Sequence, residues 1–108
     1  MSEELSWEEA RRRALDYVRT NILAETKNEP ALIEDQTIEK PWGWVLFWNT
    51  LLYTETGDLE HAVIGPEPIC VDRRKGTVAS VVSDKPLDKE IRRFERRSGI
   101  RPWWKLWS

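Results

Sequence analysis

The segment from Gly43 to Tyr53, GWVLFWNTLLY, narrows the choice of fold more than any other part of the sequence. As a β-strand, it places Trp44 and Leu46 on one face of a sheet and Val45 and Phe47 on the other. A strand that is apolar on both faces needs cover on both sides, as a central strand has. The sequence therefore predicts a sheet with this segment at its centre.

Amphipathic helices are predicted before and after the strand region. Residues Ser6 to Glu9 fit a capping box, and apolar residues then recur at helical spacing from about Trp7 to Leu23. A second helix is predicted from about Pro86 to Arg97, because proline suits the first turn of a helix. Gly99 is expected to end this helix in a left-handed cap.

Further strands are predicted at 31–39, 68–72 and 77–83. Asp72 is expected to begin a hairpin turn that ends at Gly76. Asn49 interrupts the apolar pattern and is expected to bond to backbone groups where its strand bends or ends. Short turns between strands favour antiparallel pairing, so the predicted class is α+β. Its parts are an N-terminal helix, a four-stranded, mainly antiparallel sheet, a C-terminal helix and a Trp-rich tail.

Length and composition limit the possible classes of protein. The 108 residues suit one domain, predicted over residues 1–100, followed by the tail at 101–108. A net charge of -2 argues against a generally basic nucleic-acid binder. The N-terminus lacks the apolar core of a signal peptide, and no apolar run is long enough to cross a bilayer. With Cys70 as the only cysteine, no intrachain disulfide can form, and we expect a cytoplasmic protein.

The C-terminal end differs in charge from the rest of the chain. Residues 1–84 carry a net charge of -7 and residues 85–108 a net charge of +5. The basic end is either a solvated helix and tail or a terminus that docks on an acidic surface, of this protein or of a partner. The tail residues Trp103, Trp104 and Trp107 can fold onto the core, form an interface with a partner or a second copy, or insert into a membrane surface. We predict no membrane partner, and no nucleic-acid partner because the acidic remainder would repel a polyanion.

Residues that could carry catalysis or hold a metal are few. His61 is the only histidine and lies in a predicted loop, whereas Cys70 lies in a predicted strand, where a buried cysteine acts as a small hydrophobe. Glu55, Asp58 and Glu60 lie in an acidic connector that lacks the ligand spacing of a calcium loop. The five glycines are isolated, so no phosphate-binding loop is present. The sequence therefore predicts no catalytic residue, no metal site and no cofactor.

Several short motifs occur together in the chain and are densest between Thr37 and Gly76. The motifs are a Gly-Trp-aromatic strand ending in Asn, a Tyr-x-Glu-Thr-Gly-Asp connector, and a Pro-aliphatic-x-Val-Asp strand with a basic turn ending in Gly. The residues that carry them are Gly43, Trp44, Val45, Phe47, Trp48, Asn49, Tyr53, Glu55, Thr56, Gly57, Asp58, Pro68, Ile69, Val71, Asp72 and Gly76. In combination, these motifs resemble the immunity protein 35 family, also described as YrhB-like domains. The likeness covers about residues 6–97 and leaves out the tail.

This resemblance implies a bacterial immunity protein, encoded beside a toxin gene, that neutralises its cognate toxin without catalysis. The mechanism would be occlusion of the toxin's active surface by a rigid scaffold. The residues expected to contact the toxin are Glu55, Asp58 and Glu60, with Trp48 as a neighbouring anchor. The alternative is a general protein-interaction or holdase-like module, which could form homo-oligomers through the Arg- and Trp-rich C-terminus.

Overall fold

The computed structural model describes residues 4–81 and 86–100, and within them the chain forms three α-helices, six β-strands and two 3₁₀ turns. In chain order these are α1 Trp7–Asn21, β1 Pro30–Leu32, a 3₁₀ turn Glu34–Gln36, β2 Ile38–Lys40, β3 Gly43–Leu46, β4 Trp48–Thr50, α2 Leu51–Thr56, a 3₁₀ turn Leu59–His61, β5 Ile69–Asp72, β6 Val78–Ser80 and α3 Leu87–Arg97. The predicted α+β class, with antiparallel strands between an N-terminal and a C-terminal helix, is confirmed. The predicted tail at 101–108 lies outside the described residues, as do the last residues of the strand predicted at 77–83.

The strands form two antiparallel sheets. Strands β2, β3, β5 and β6 pair in that order, and β1 pairs separately with β4. Strand β3 therefore lies inside the larger sheet, as its two apolar faces predict. The segment from Gly43 to Tyr53 is not one strand, however, because its ladder is interrupted at Phe47 and α2 begins at Leu51. The 3₁₀ turn Glu34–Gln36 inserts extra residues opposite this interruption, and it divides the strand predicted at 31–39 into β1 and β2.

Helices α1 and α3 cover opposite faces of the larger sheet, and each covers its own hydrophobic core. The core beneath α1 contains Ala10, Ala14, Val18, Leu23, Trp44, Leu46, Trp48, Ile69 and Val71. The core beneath α3 contains Val45, Cys70, Val81, Ile91 and Phe94, with Phe47 packed against it. Residues that alternate along β3 and β5 thus enter different cores, which confirms that Trp44 and Phe47 face opposite sides of the sheet.

The helix ends follow local signals in the sequence. The Ser6 side chain accepts a hydrogen bond from the Glu9 backbone N–H at 3.1 Å and caps α1. The Glu9 carboxylate accepts from the Arg12 guanidinium at 2.6 and 2.8 Å, so only the serine half of the predicted capping box forms. At the end of α3, Gly99 adopts a positive φ of 72°, and the Ile100 N–H donates to the Glu95 carbonyl at 2.8 Å. This is the predicted left-handed cap.

The Cys70 thiol is fully buried between the sheet and α3. Loss of solvation on burial, with a smaller contribution from the Glu95 carboxylate, raises the pKa of Cys70 from its ordinary 9.0 to about 12. The thiol therefore stays protonated at neutral pH. Because the thiolate is the nucleophilic form, this cysteine is not activated for chemistry.

The raised pKa of Cys70 predicts a loss of stability at alkaline pH. Between about pH 9 and 12 the folded protein keeps a proton that the unfolded chain has lost, so its stability falls as pH rises, by at most about 1.4 kcal/mol per pH unit. Urea unfolding from pH 7.5 to 10.5 measures the slope, with Cys70→Ala as the control for other titrating groups. We expect the wild type to lose stability more steeply than the variant. Parallel curves for the two proteins would contradict the prediction.

Candidate partner-binding surface

Exposed hydrophobic side chains are concentrated in one stretch of the chain, residues 51–64, called here the acidic–apolar segment. It comprises α2 and the 3₁₀ turn Leu59–His61 with the residues that follow each. Among the described residues, five large hydrophobic side chains are exposed: Ile22 elsewhere and Leu51, Leu52, Leu59 and Ile64 in this segment. Leu59 is 71% exposed and Ile64 is 85% exposed. A group of exposed apolar side chains in so short a stretch is typical of a protein-binding surface.

The same segment carries only negative formal charge. It contains Glu55, Asp58 and Glu60 and no lysine or arginine, and all three acidic residues are exposed. Within residues 4–81 and 86–100, no ion pair involves Glu55 or Glu60, whereas acidic residues on and near α1 pair with arginines, as Asp16 does with Arg19. The charge of the segment is therefore left facing solvent.

Asp58 has a structural role as well as an exposed position. Its carboxylate accepts from the Glu60 backbone N–H at 2.9 Å and caps the 3₁₀ turn Leu59–His61. Gly57, with a φ of 72°, ends α2 and turns the chain toward Asp58. Glu55 and Glu60 thus remain as the two acidic side chains that are not used by the local fold.

Three buried side chains of β4, Trp48, Asn49 and Thr50, hold this segment in place; we call them the β4 clamp. The Asn49 amide donates to the Val63 carbonyl at 3.2 Å and accepts from the Val63 N–H at 2.8 Å. The Thr50 hydroxyl donates to the His61 carbonyl at 2.6 Å. The Trp48 indole N–H donates to the carbonyl of Glu67, just beyond the segment, at 2.8 Å.

The β4 clamp also begins α2. The Thr50 hydroxyl accepts from the Tyr53 N–H at 3.1 Å, and the Asn49 side chain accepts from the Thr50 N–H at 2.8 Å. Buried polar groups need hydrogen-bond partners, and here three consecutive side chains supply them to backbone groups near both ends of the segment. This confirms the expectation that Asn49 bonds to backbone groups where its strand ends. The segment is consequently tied by hydrogen bonds to buried side chains of β4.

The residues predicted to bind a partner occupy different environments. Glu55, Asp58 and Glu60 lie together in the acidic–apolar segment. Trp48 is only 1% exposed and belongs to the core beneath α1, so its side chain holds the segment and is not on the surface. Trp103, Trp104 and Trp107 lie outside the described residues.

The sequence pattern does not predict the exposed leucines. Leu51 and Leu52 continue the apolar run of the central strand, and the run therefore predicts strand where the structure has α2. The sequence signal that distinguishes these two leucines from the strand is Thr50. Threonine is a common N-cap, whose hydroxyl accepts a hydrogen bond from the backbone N–H three residues later, here that of Tyr53. Leu59 and Ile64 carry no comparable sequence signal, because their exposure depends on how the clamp seats the connector.

Two shallow grooves lie elsewhere on the described surface. One, of about 470 Å³, runs along α3 and is lined mainly by charged residues such as Lys89, Arg92 and Arg96. The other, of about 390 Å³, is lined by Trp7, Glu34, Thr37, Glu39 and Trp44. Neither groove contains the only histidine or the only cysteine of the chain.

Comparison with known protein families gives a match to immunity protein 35 over residues 8–94. The chain belongs to the immunity protein 35 family. The matched region contains the acidic–apolar segment and the β4 clamp and ends before the tail at 101–108. This confirms the resemblance carried by the sequence motifs. Comparisons with curated proteins and with solved structures gave no match.

Two further findings apply to this immunity protein 35 family member. Across 4–81 and 86–100, no group of three or more histidine, cysteine, aspartate or glutamate side chains is arranged to hold a metal ion. In the same part of the chain, every helix is too short or too polar to span a membrane.

Proposed function

We propose that this protein is a non-catalytic immunity protein that binds a cognate protein toxin and neutralises it by covering the toxin's active surface. Membership of the immunity protein 35 family over residues 8–94 is the observation that carries the proposal. The fixed acidic–apolar segment supports it, because such a surface suits binding to another macromolecule.

Occlusion requires a surface that keeps its shape when the toxin arrives. The β4 clamp supplies this, since backbone groups of the segment are bonded to side chains that are buried in the fold. A surface ordered before binding loses little conformational entropy in the complex, and this favours tight association. We include Glu55, Asp58 and Glu60 among the contacts, and we assign Trp48 a supporting role beneath them.

Growth rescue tests the proposed function. Co-expression of the full chain with the toxin encoded by the neighbouring gene should restore growth to cells that the toxin alone arrests. The control is Gly43→Ala, a variant that we expect to be severely destabilised and therefore unable to protect. Continued growth arrest with the wild-type chain, at an expression level verified by immunoblot, would refute the proposed function.

The alternative is a general interaction or holdase-like module that acts through the basic C-terminus. What favours it is the run of exposed arginines on α3, including Arg92, Arg93 and Arg96. The two functions predict different results when residues 101–108 are removed. The family match ends at residue 94, so we expect the truncated chain to keep the oligomeric state of the wild type and to bind the toxin within about threefold of wild type. A smaller number of subunits together with lost binding, measured by light scattering and calorimetry, would favour the alternative.

A further inference from the structure

We infer that the acidic–apolar segment is the face that contacts the toxin, and that the toxin presents to it a basic surface with an apolar depression at its centre. The inference rests on the proposed function and adds the chemistry of the partner. It also assigns different tasks to the two kinds of side chain in the segment. The apolar residues hold the complex together, and the acidic residues speed its formation.

The apolar part of the argument starts from exposure. Leu59 and Ile64 are 71% and 85% exposed, although the described part of the chain buries enough hydrophobic side chains to build two cores. Leu51 and Leu52, on α2 of the same segment, are also exposed. Apolar side chains at the centre of an interface, once shielded from water, dominate the rate at which a complex dissociates.

The acidic part of the argument is charge complementarity. The segment has three carboxylates and no lysine or arginine, and within the described residues no cation pairs with Glu55 or Glu60. An uncompensated field of this kind attracts a surface rich in lysine and arginine and raises the association rate. It would repel an acidic partner, so the partner chemistry is basic.

The groove between Trp7 and Trp44 differs from the acidic–apolar segment in how its charges are paired. Its two carboxylates are already neutralised within the protein, because Glu34 pairs with Arg11 at 3.2 Å and Glu39 pairs with Arg73 at 2.9 Å. The Arg73 guanidinium also stacks on the Trp44 ring, 4.5 Å from its centroid. This groove is therefore internally satisfied, whereas the acidic–apolar segment leaves both its charge and its apolar area unpaired.

Surface plasmon resonance with a catalytically inactive variant of the toxin from the neighbouring gene tests the inference. The double substitution Leu59→Ala with Ile64→Ala should raise the dissociation constant by about tenfold or more, mainly through faster dissociation. Glu55→Gln with Glu60→Gln should slow association by about tenfold at low salt and reduce its salt dependence. Asp58 is left unchanged because it caps the 3₁₀ turn.

Matched controls make the same chemical changes away from the segment. Leu15→Ala on α1 removes an apolar side chain outside both cores, and Glu4→Gln with Glu8→Gln removes two exposed charges where the chain enters α1. That end of α1 adjoins the β5–β6 turn, because the Leu5 N–H donates to the Arg73 carbonyl at 2.8 Å. Both controls should bind within about threefold of wild type.

The outcomes separate the inference from the function beneath it. If the wild-type chain does not bind the toxin at all, the proposed function fails and the inference falls with it. If the wild type binds and both segment variants bind equally well, the function stands and the inference is overturned. Loss of binding in the segment variants, with controls unaffected and circular dichroism spectra unchanged, supports the inference.

Discussion

Gly43→Ala is expected to destabilise the protein by about 3–5 kcal/mol, one of the two largest effects that we predict for a single substitution. Gly43 begins β3 with a φ of 155°, and a Cβ added there would overlap the carbonyl oxygen of Val71 and lie 3.1 Å from the Arg73 amide nitrogen. Both atoms belong to backbone that cannot yield freely, since the Arg73 N–H donates to the Trp42 carbonyl at 2.7 Å. Relieving the overlap requires β3 and β5 to separate in the middle of the sheet.

Urea unfolding of wild type, Gly43→Ala and Gly57→Ala measures this effect. Gly57 is the matched control because it also has a positive φ, 72°, but a Cβ there would have no neighbour within 4 Å. We expect Gly57→Ala to cost about 1 kcal/mol from backbone strain alone. Equal losses for the two variants would show that overlap with β5 is not the cause.

The parts of the fold that follow from sequence are those in which side chains and local backbone require the same structure. The apolar residues on both faces of β3 predict a sheet covered on both sides, and the two cores confirm it. Asp72 predicts the β5–β6 turn for a local reason. Its carboxylate accepts from the Arg74 and Lys75 N–H groups at 2.8 and 3.0 Å, and Gly76 supplies the positive φ of 72°.

The division of the segment from Gly43 to Tyr53 could not be predicted in the same way. Its apolar run continues past Thr50, and nothing in that pattern distinguishes a strand from the first turn of α2. The competing influence is long-range: the 3₁₀ turn Glu34–Gln36 interrupts the partner strand, and the backbone of 61–67 supplies bonding partners for the β4 clamp. The pattern of apolar residues within the segment contains no information about either of these long-range contacts.

The candidate site shows the same division. The exposure of Glu55, Asp58 and Glu60 could be predicted from sequence because a charged connector is solvated in most folds. The burial of Trp48 could not be predicted, since a tryptophan beside a polar connector serves equally well as an anchor on the surface or as a core residue. Its burial depends on the Glu67 carbonyl, 19 positions along the chain, which receives the indole hydrogen bond.

Asn49→Ala is expected to cost about 2–4 kcal/mol, because it leaves the Val63 N–H, the Val63 carbonyl and the Thr50 N–H without their buried partner. The loss should be concentrated in the connector, since the cores beneath α1 and α3 keep their apolar contacts. Hydrogen exchange followed by mass spectrometry should therefore show that the substitution, relative to wild type, speeds exchange more over residues 57–67 than over β3 and β5.

The matched control for this change is Asn28→Ala, which removes an exposed asparagine and should change stability by less than about 0.5 kcal/mol. Asn49→Ala should also weaken toxin binding although Asn49 is only 7% exposed, because the surface that it supports is no longer ordered before the toxin arrives. If the increase in exchange relative to wild type were the same across the whole chain, Asn49 would stabilise the fold globally and would have no special role in the connector. Normal exchange over 57–67, with stability unchanged, would show that the clamp does not depend on the amide, and the order of the acidic–apolar segment would then have to come from Thr50 and Trp48.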